Sequence, residues 1–313
     1  MIALHLPASV QIALLGMFGL LLVATLVVGG LAHLRPERNY TELTLRVKTW
    51  WLIVGVFTAA IVVNHTVSVI ILAFVSFLAF KEYLSLIPTR RTDHRVLLWA
   101  YIAIPFQYYW VAIGWYGLFI IFIPVYAFLF LPMRMVMIGE TQGFLRAAGT
   151  LHWGLMTTVF SLSHMAYLLA LPDAKNPAGG SVGLLLFLVF LTEINDVAQY
   201  IWGKSFGKHK VTPTVSPNKT MEGLLGGVLT TTALAVLLAP WLTPLTPWQS
   251  VAAGALIGIA GFVGDVTISA VKRDIGVKDS GSILPGHGGI LDRLDSLTYT
   301  APLFFHFIYF LHY

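Results

Sequence analysis

The sequence predicts an all-α integral membrane protein, a polytopic bundle of about ten transmembrane helices with a cytoplasm-facing polar site in its C-terminal half. Three observations carry this expectation. The 313 residues are 57% hydrophobic and only 11% charged, with a mean hydropathy of +0.80, too apolar for an ordinary soluble domain. The apolar residues gather in repeated runs near the ~20 that cross a ~30 Å hydrocarbon core. The runs are continuous, without the period-2 alternation that a membrane β-barrel needs, and lipid offers backbone groups no partners outside a helix.

The runs lie near residues 8–34, 50–63, 66–80, 97–113, 115–131, 150–171, 181–202, 222–239, 250–268 and 297–312. The first lacks a basic leader and a small-residue cleavage site, so it reads as a retained helix rather than a signal peptide. The second and third flank Asn64 and His65, which mark either a tight helical hairpin or a kink, so nine to eleven spans fit. Sorting the loops by side puts eighteen of the nineteen Lys and Arg on one face, with Lys175 alone on the other. Positive charge marks the cytoplasmic side, so the sorting predicts that both termini lie outside it. All the acids except Asp173 fall on the same face or in helices close to it. The charge rule does not explain that; a cytoplasmic site needing both signs does.

Composition shifts near residue 190. Residues 1–180 read as a scaffold of membrane helices, and residues 181–313 as the region that works. In the latter, Gly254, Gly258, Gly261 and Gly264 bare one face of the ninth run, which reads chiefly as a close helix contact. With no cysteine, thiolate metal sites are excluded.

Three polar clusters follow. In "LTEINDVAQYIWGKSFGKHK" (191–210), Glu193 and Asp196 share a helix face inside the membrane, where a carboxylate costs about 2.5–3.5 kcal/mol; function and a helix-packing pair both account for them. In "TPTVSPNKTMEGLLGG" (212–227), Pro213 and Pro217 suggest an extended loop. Ser216, Asn218 and Thr220 are suited to sugars or phosphates, and Glu222 opens a helix; a plain capping box explains Lys219, Thr220 and Glu222 equally well. In the third, Asp265, Ser269 and Lys272 or Arg273 lie on one helical face. Lys278, Asp279 and a glycine-rich "PGHGG" (285–289) follow, whose glycines could form an anion-binding nest, and then Asp292 and Asp295, three apart on one face. Carboxylates without thiols point to a hard cation such as Mg²⁺, which prefers a few carboxylates, waters and phosphate oxygens. With cations beside them, these parts suit phosphoryl or nucleotidyl transfer.

At these residues the sequence resembles the phosphatidate cytidylyltransferases, the CDP-diacylglycerol synthases. "SAVKRDIGVKDSGSILPGHGGILDRLD" is similar to their SxxKR, KD, LPGHGG and DRxD signature, "SPNKTMEG" to SPxKTxEG, and "NDVAQYIWGKSFGKHK" to their aspartate, tyrosine and GKxFGK segment. The resemblance is strong over about residues 190–300 and rests on hydropathy before them. It implies a transfer of CMP from CTP to phosphatidic acid or a related lipid phosphate, giving CDP-diacylglycerol and pyrophosphate with Mg²⁺. Asp265, Asp292 and Asp196 would bind the metal with Asp295 nearby, and Lys272 and Arg273 would assist catalysis. Ser216, Lys219, Thr220, Glu222, Ser269, Lys278, Asp279, His287, Gly288, Gly289 and Arg293 would serve the substrates. A second, monovalent cation and a homodimer are compatible with this reading, nucleic acid is not expected, and a bacterial inner membrane is the expected location.

Departures ring the presumed site: Gln199 stands where the family usually has alanine, Met221 where it has tryptophan, and Glu193 and Asn195 flank its aspartate. They leave the acceptor lipid open, including a CTP-dependent kinase acting on a lipid alcohol. An anion transporter is disfavoured, because ionisable groups gather at one face instead of spreading through the membrane depth.

Overall fold

The computed structural model describes residues 6–37, 39–281 and 288–313, with Arg91 by its backbone alone. The chain forms α1 (Ala8–Leu34), α2 (Thr41–Val63), α3 (His65–Leu86), α4 (His94–Ala112), α5 (Tyr116–Ile121), α6 (Phe128–Val136), α7 (Phe144–Leu155) and α8 (Ser161–Ala170). It continues with α9 (Gly180–Phe206), a hairpin of β1 (Lys210–Thr212) and β2 (Ser216–Thr220), α10 (Met221–Leu242), α11 (Pro247–Ile275), α12 (Leu291–Leu294) and α13 (Leu297–His312). One π-helical stretch, Phe122–Ala127, joins α5 to α6, and another, Met156–Phe160, joins α7 to α8. The expected apolar runs thus become helical rods. Seven of these are long and apolar enough to cross a bilayer: α1, α2, α3, the joined α5–α6, α9, α10 and α11. α4, α7–α8 and α13 fall short of that measure. α8 is nevertheless almost wholly buried, and a helix that faces protein on all sides has less need of uniform apolarity than one facing lipid.

Local chemistry sets the boundaries. Asn64 adopts extended backbone and its side chain accepts from the Val67 N–H, so the ambiguous second and third runs are two helices broken at one residue. At the start of α11, Thr246 and Gln249 form a reciprocal capping box with Pro247 in the first turn, satisfying N–H groups that have no intrahelical partner. Gly276 ends the helix at φ 82°, a left-handed conformation that favours glycine.

The expected extended loop at 212–220 is instead an antiparallel hairpin, with Lys210 opposite Thr220 and Thr212 opposite Ser216. Pro213 sits in its turn, and Pro217 fits because a strand edge facing solvent needs no N–H donor. The apolar core runs without a break across residue 180, taking in Phe80, Phe119, Leu168, Phe187 and Phe305. Residues 1–180 and 181–313 therefore share one interior.

The glycine face of α11 is a contact surface, as its spacing suggests. A Cβ at Gly258 would lie 3.0 Å from Val228 Cα, and one at Gly264 only 2.6 Å from the Asp295 carbonyl oxygen. The bare backbone at Gly264 lets α11 seat directly against the entry to α13.

Candidate active site

Three aspartates from separate elements meet beside that contact. Asp196 comes from the last turns of α9, Asp265 from α11 and Asp295 from the junction before α13. Asp295 interacts electrostatically with both of the others, and Asp196 with Asp265. The Ser296 hydroxyl reaches Asp196 Oδ2 at 2.8 Å and the Gly261 carbonyl at 3.2 Å, while the Ser296 N–H donates to Asp295 Oδ1. One serine thereby orients two of the three acids.

Lys219, projecting from β2, brings the positive charge. Its Nζ lies 2.6 Å from Asp265 Oδ2, donates to Gln199 Oε1 at 3.0 Å and stands 5.6 Å from the Phe262 ring centre. Burial alone would lower its pKa, but the charges of Asp265 and Asp196 outweigh burial and hold it above the ordinary lysine value. Asp265 Oδ1 accepts from Ser269 one turn further on, at 3.2 Å.

The same face of α11 continues to Lys272, whose Nζ donates to Asp292 Oδ1 at 2.6 Å. Asp292 Oδ2 accepts from the N–H groups of Ser280 (2.8 Å) and Gly289 (2.9 Å). Burial would raise the Asp292 pKa, but the Lys272 bond and the two N–H groups prevail and lower it. Asp265 and Lys272, the partner of Asp292, thus stand about 10 Å apart along the helix, seven residues at 1.5 Å each.

Several expected substrate groups are committed to local structure. Thr220 caps α10 by accepting from the Gly223 N–H. Glu222 accepts from the N–H groups of Lys208 and His209 and from the His209 ring at 2.6 Å, closing the base of the hairpin. Thr220 thus acts as a cap, whereas Glu222 fastens the chain that leads into the hairpin. Arg273 donates to the Val215 and Val277 carbonyls, tying the hairpin to the end of α11. The Gly289 N–H serves Asp292, so this part of the expected anion nest holds an internal carboxylate. Lys278 and Asp279 are exposed, Ser216 is half-buried and Gly288 turns at φ 79°. Arg293, with its Nε buried and unpartnered, faces the charges of Glu193 and Asp196. His287 lies outside the described residues.

The departures sort by contact. Asn195 is a packing residue, donating to the Gly258 carbonyl and accepting from Thr231. Met221 is exposed. Gln199 reaches the charged cluster through its bond to Lys219, and Glu193 interacts electrostatically with Asp196 and Arg293. Glu82 of α3 was not singled out by sequence, yet it accepts from the Ser280 hydroxyl and from the N–H groups of Ile290 (2.9 Å) and Leu291 (3.0 Å). An acid at the end of an apolar run, in "FKEY", is the only signal that could have found it.

Among the described residues, no three His, Asp or Glu side chains form a ready cation cage. Mg²⁺ does not require one, since it commonly takes one or two carboxylates and completes its shell with waters and phosphate oxygens. Asp196 and Asp265 fit that pattern: Asp196 Oδ1 is buried without a partner, and Asp265 carries charge beside it. Asp265 and Asp292 each pair with an ammonium at 2.6 Å, and Asp292 also takes two N–H groups.

The helices long and apolar enough to cross a membrane, with acids, lysines and backbone donors gathered at one end of the C-terminal ones, make this a polytopic helical membrane protein with a polar cluster. Residues 44–311 match the cytidylyltransferase family, and the chain belongs to that family of nucleotidyltransferases. It is 50% identical over 292 residues to the uncharacterized protein YnbB of Escherichia coli (strain K12), covering 93% of this chain and 96% of that one. It is also similar to the phosphatidate cytidylyltransferase of Synechocystis sp., at 45% identity over 134 residues, 42% of this chain and 44% of that protein. The corresponding enzyme of Staphylococcus haemolyticus is 41% identical over 120 residues, 38% of this chain and 46% of that protein. Each of these two matches spans less than half the length of the phosphatidate cytidylyltransferase concerned.

Proposed function

We propose that this protein transfers CMP from CTP to the phosphate of a membrane lipid, phosphatidate or a close relative, and releases pyrophosphate. The observation that carries this reading is the row of alternating charge along α11. Asp265 with Lys219, then Ser269, then Lys272 with Asp292, aligns carboxylates and ammonium groups over a length suited to a triphosphate and a lipid phosphate together.

In the reaction a lipid phosphate oxygen forms a bond to the α-phosphorus of CTP, and the bond from that phosphorus to the bridging oxygen of pyrophosphate breaks. The nucleophile is already anionic, so no strong base is needed. The barrier lies in bringing two polyanions together and in the charge that grows on the leaving pyrophosphate. Lys219 and Lys272 can lend charge to those oxygens by exchanging a carboxylate partner for a phosphate one, and the buried Arg293 Nε is a further donor. Asp196 and Asp265 would hold Mg²⁺, which when bound neutralises phosphate charge and aligns the reacting groups. Set at the cytoplasmic ends of the helices, the cluster would let the lipid remain in the bilayer while CTP arrives from water.

The test uses detergent-purified protein, Mg²⁺ and a panel of lipid phosphates with CTP labelled at either the α or the γ phosphate. Label from α-labelled CTP should enter the lipid phase while the γ label leaves as pyrophosphate. Transfer of γ label to a lipid would make the protein a kinase, and absence of either label from every lipid would overturn the reading.

A further inference from the structure

We infer that Glu82 is a positioning residue for the catalytic region: from α3 its carboxylate fastens residues 280 and 290–291 so that Asp292 meets Lys272. The inference rests on the cytidylyltransferase reading above.

Glu82 sits near the end of α3, is 5% exposed and has no ion-pair partner among the described residues. A buried carboxylate is costly unless hydrogen bonds replace its water. Here the donors are all from one region, more than 190 residues away in sequence. They are the Ser280 hydroxyl and the Ile290 and Leu291 N–H groups. The surrounding backbone is shaped to this carboxylate, since a Cβ at Gly281 would lie 2.8 Å from Glu82 Oε2. A Cβ at Gly289 would crowd Glu82 Oε1 more closely still.

Asp292 grips the same two strands of chain. It takes the N–H of Ser280, whose hydroxyl goes to Glu82, and the N–H of Gly289, the neighbour of Ile290. The two carboxylates therefore share one frame: Glu82 holds it to the scaffold, and Asp292 presents it to Lys272. An apolar residue at position 82 could fill the space but could not define where residues 280 and 290–291 sit. Mere packing gives no reason for an unpaired acid here.

The experiment compares full-length wild type with Glu82→Gln and Glu82→Asp by amide hydrogen exchange and by CTP kinetics. Losing charge-assisted bonds should raise exchange at Ser280 and at 289–291 about tenfold or more, leaving α9 and the middle of α11 unchanged. Turnover should fall by a similar factor with the KM for CTP nearly constant, and Glu82→Asp should recover part of both. If Glu82→Gln does not fold, Ser280→Ala reads the same clamp from the other side and should raise exchange at 289–291. Wild-type exchange in these variants would overturn the inference even if no cytidylyl transfer is detected. Altered exchange with undiminished turnover would show the clamp to be structural only. Altered exchange in a protein that transfers no CMP would instead retire the proposed reaction.

Discussion

The Lys272 ammonium and the Asp292 carboxylate meet at 2.6 Å with both side chains largely buried, at 11% and 6% exposure. Breaking a buried pair leaves one charge without water or partner, which costs about 3–5 kcal/mol. Lys272→Met should therefore destabilise the protein by about 3 kcal/mol or more. Adding Asp292→Asn should return part of that loss, because the uncompensated charge is gone. Thermal unfolding in detergent measures both, and strictly additive effects would show that the residues are not coupled.

The same pair sets a pH dependence whose sign can be worked out. In the native protein the Asp292 pKa lies below its ordinary value, so its contribution is present above the unfolded pKa and is lost as pH falls through the folded one. Removing Lys272 takes away the strongest opposition to burial and raises the folded pKa. Acidification from neutral pH towards 4 should then stabilise Lys272→Met relative to wild type. Melting curves across that range test this, and parallel curves for the two proteins would refute it.

Much of this was legible in the chain. Hydropathy found the helical rods because lipid and a buried interior select the same residues. The i, i+4, i+7 spacing of Asp265, Ser269 and Lys272 was sufficient to put them on one face. Glu82 was not legible, because its partners lie at 280 and 290–291 and a single sequence does not reveal which distant segments meet. Thr220 had two readings, phosphate ligand and cap, and its bond to the Gly223 N–H shows the cap, while the partners of Glu222, Lys208 and His209, could not be read from the chain. The hairpin at 210–220 was hidden by its prolines, which argue against a central strand but are tolerated at an edge.

Asp265 is expected to be the most sensitive acid. Asp265→Asn removes a charge that faces Asp196 and Asp295 and also frees Lys219 from its ion pair. Turnover should drop by about a hundredfold or more, the scale seen when an electrostatic contact at a reacting centre is removed. The Mg²⁺ concentration giving half-maximal rate should rise. A variant with normal Mg²⁺ dependence would exclude Asp265 from metal binding.

Gln199 should influence the acceptor. Lysine can only donate, so the Lys219 bond fixes the Gln199 amide oxygen towards Nζ and turns Nε2 away. That Nε2 is buried without a partner, a costly state that a ligand oxygen would relieve. Gln199→Ala should change the ratio of kcat/KM among lipid phosphates by about tenfold, more than it changes the KM for CTP. Rates measured over the same lipid panel decide it. An equal loss on every lipid would assign Gln199 to holding Lys219 alone.

Gly264 offers a test of how closely the site depends on helix contact. A methyl group there would come within 2.6 Å of the Asp295 carbonyl oxygen, a rigid neighbour that cannot swing aside as a side chain could. Overpacking of this kind costs about 1–3 kcal/mol and shifts backbone. Because Ser296 orients Asp196 and Asp295 from the segment that must move, Gly264→Ala should lower turnover beyond what its melting temperature explains. At Gly258 the nearest atom, Val228 Cα, is 3.0 Å away and belongs to α10, not to the segment that carries Asp295 and Ser296. Gly258→Ala should therefore cost stability without a matching loss of rate. Equal effects of the two substitutions on turnover would mean that the acids do not depend on the seating of α11 against α13.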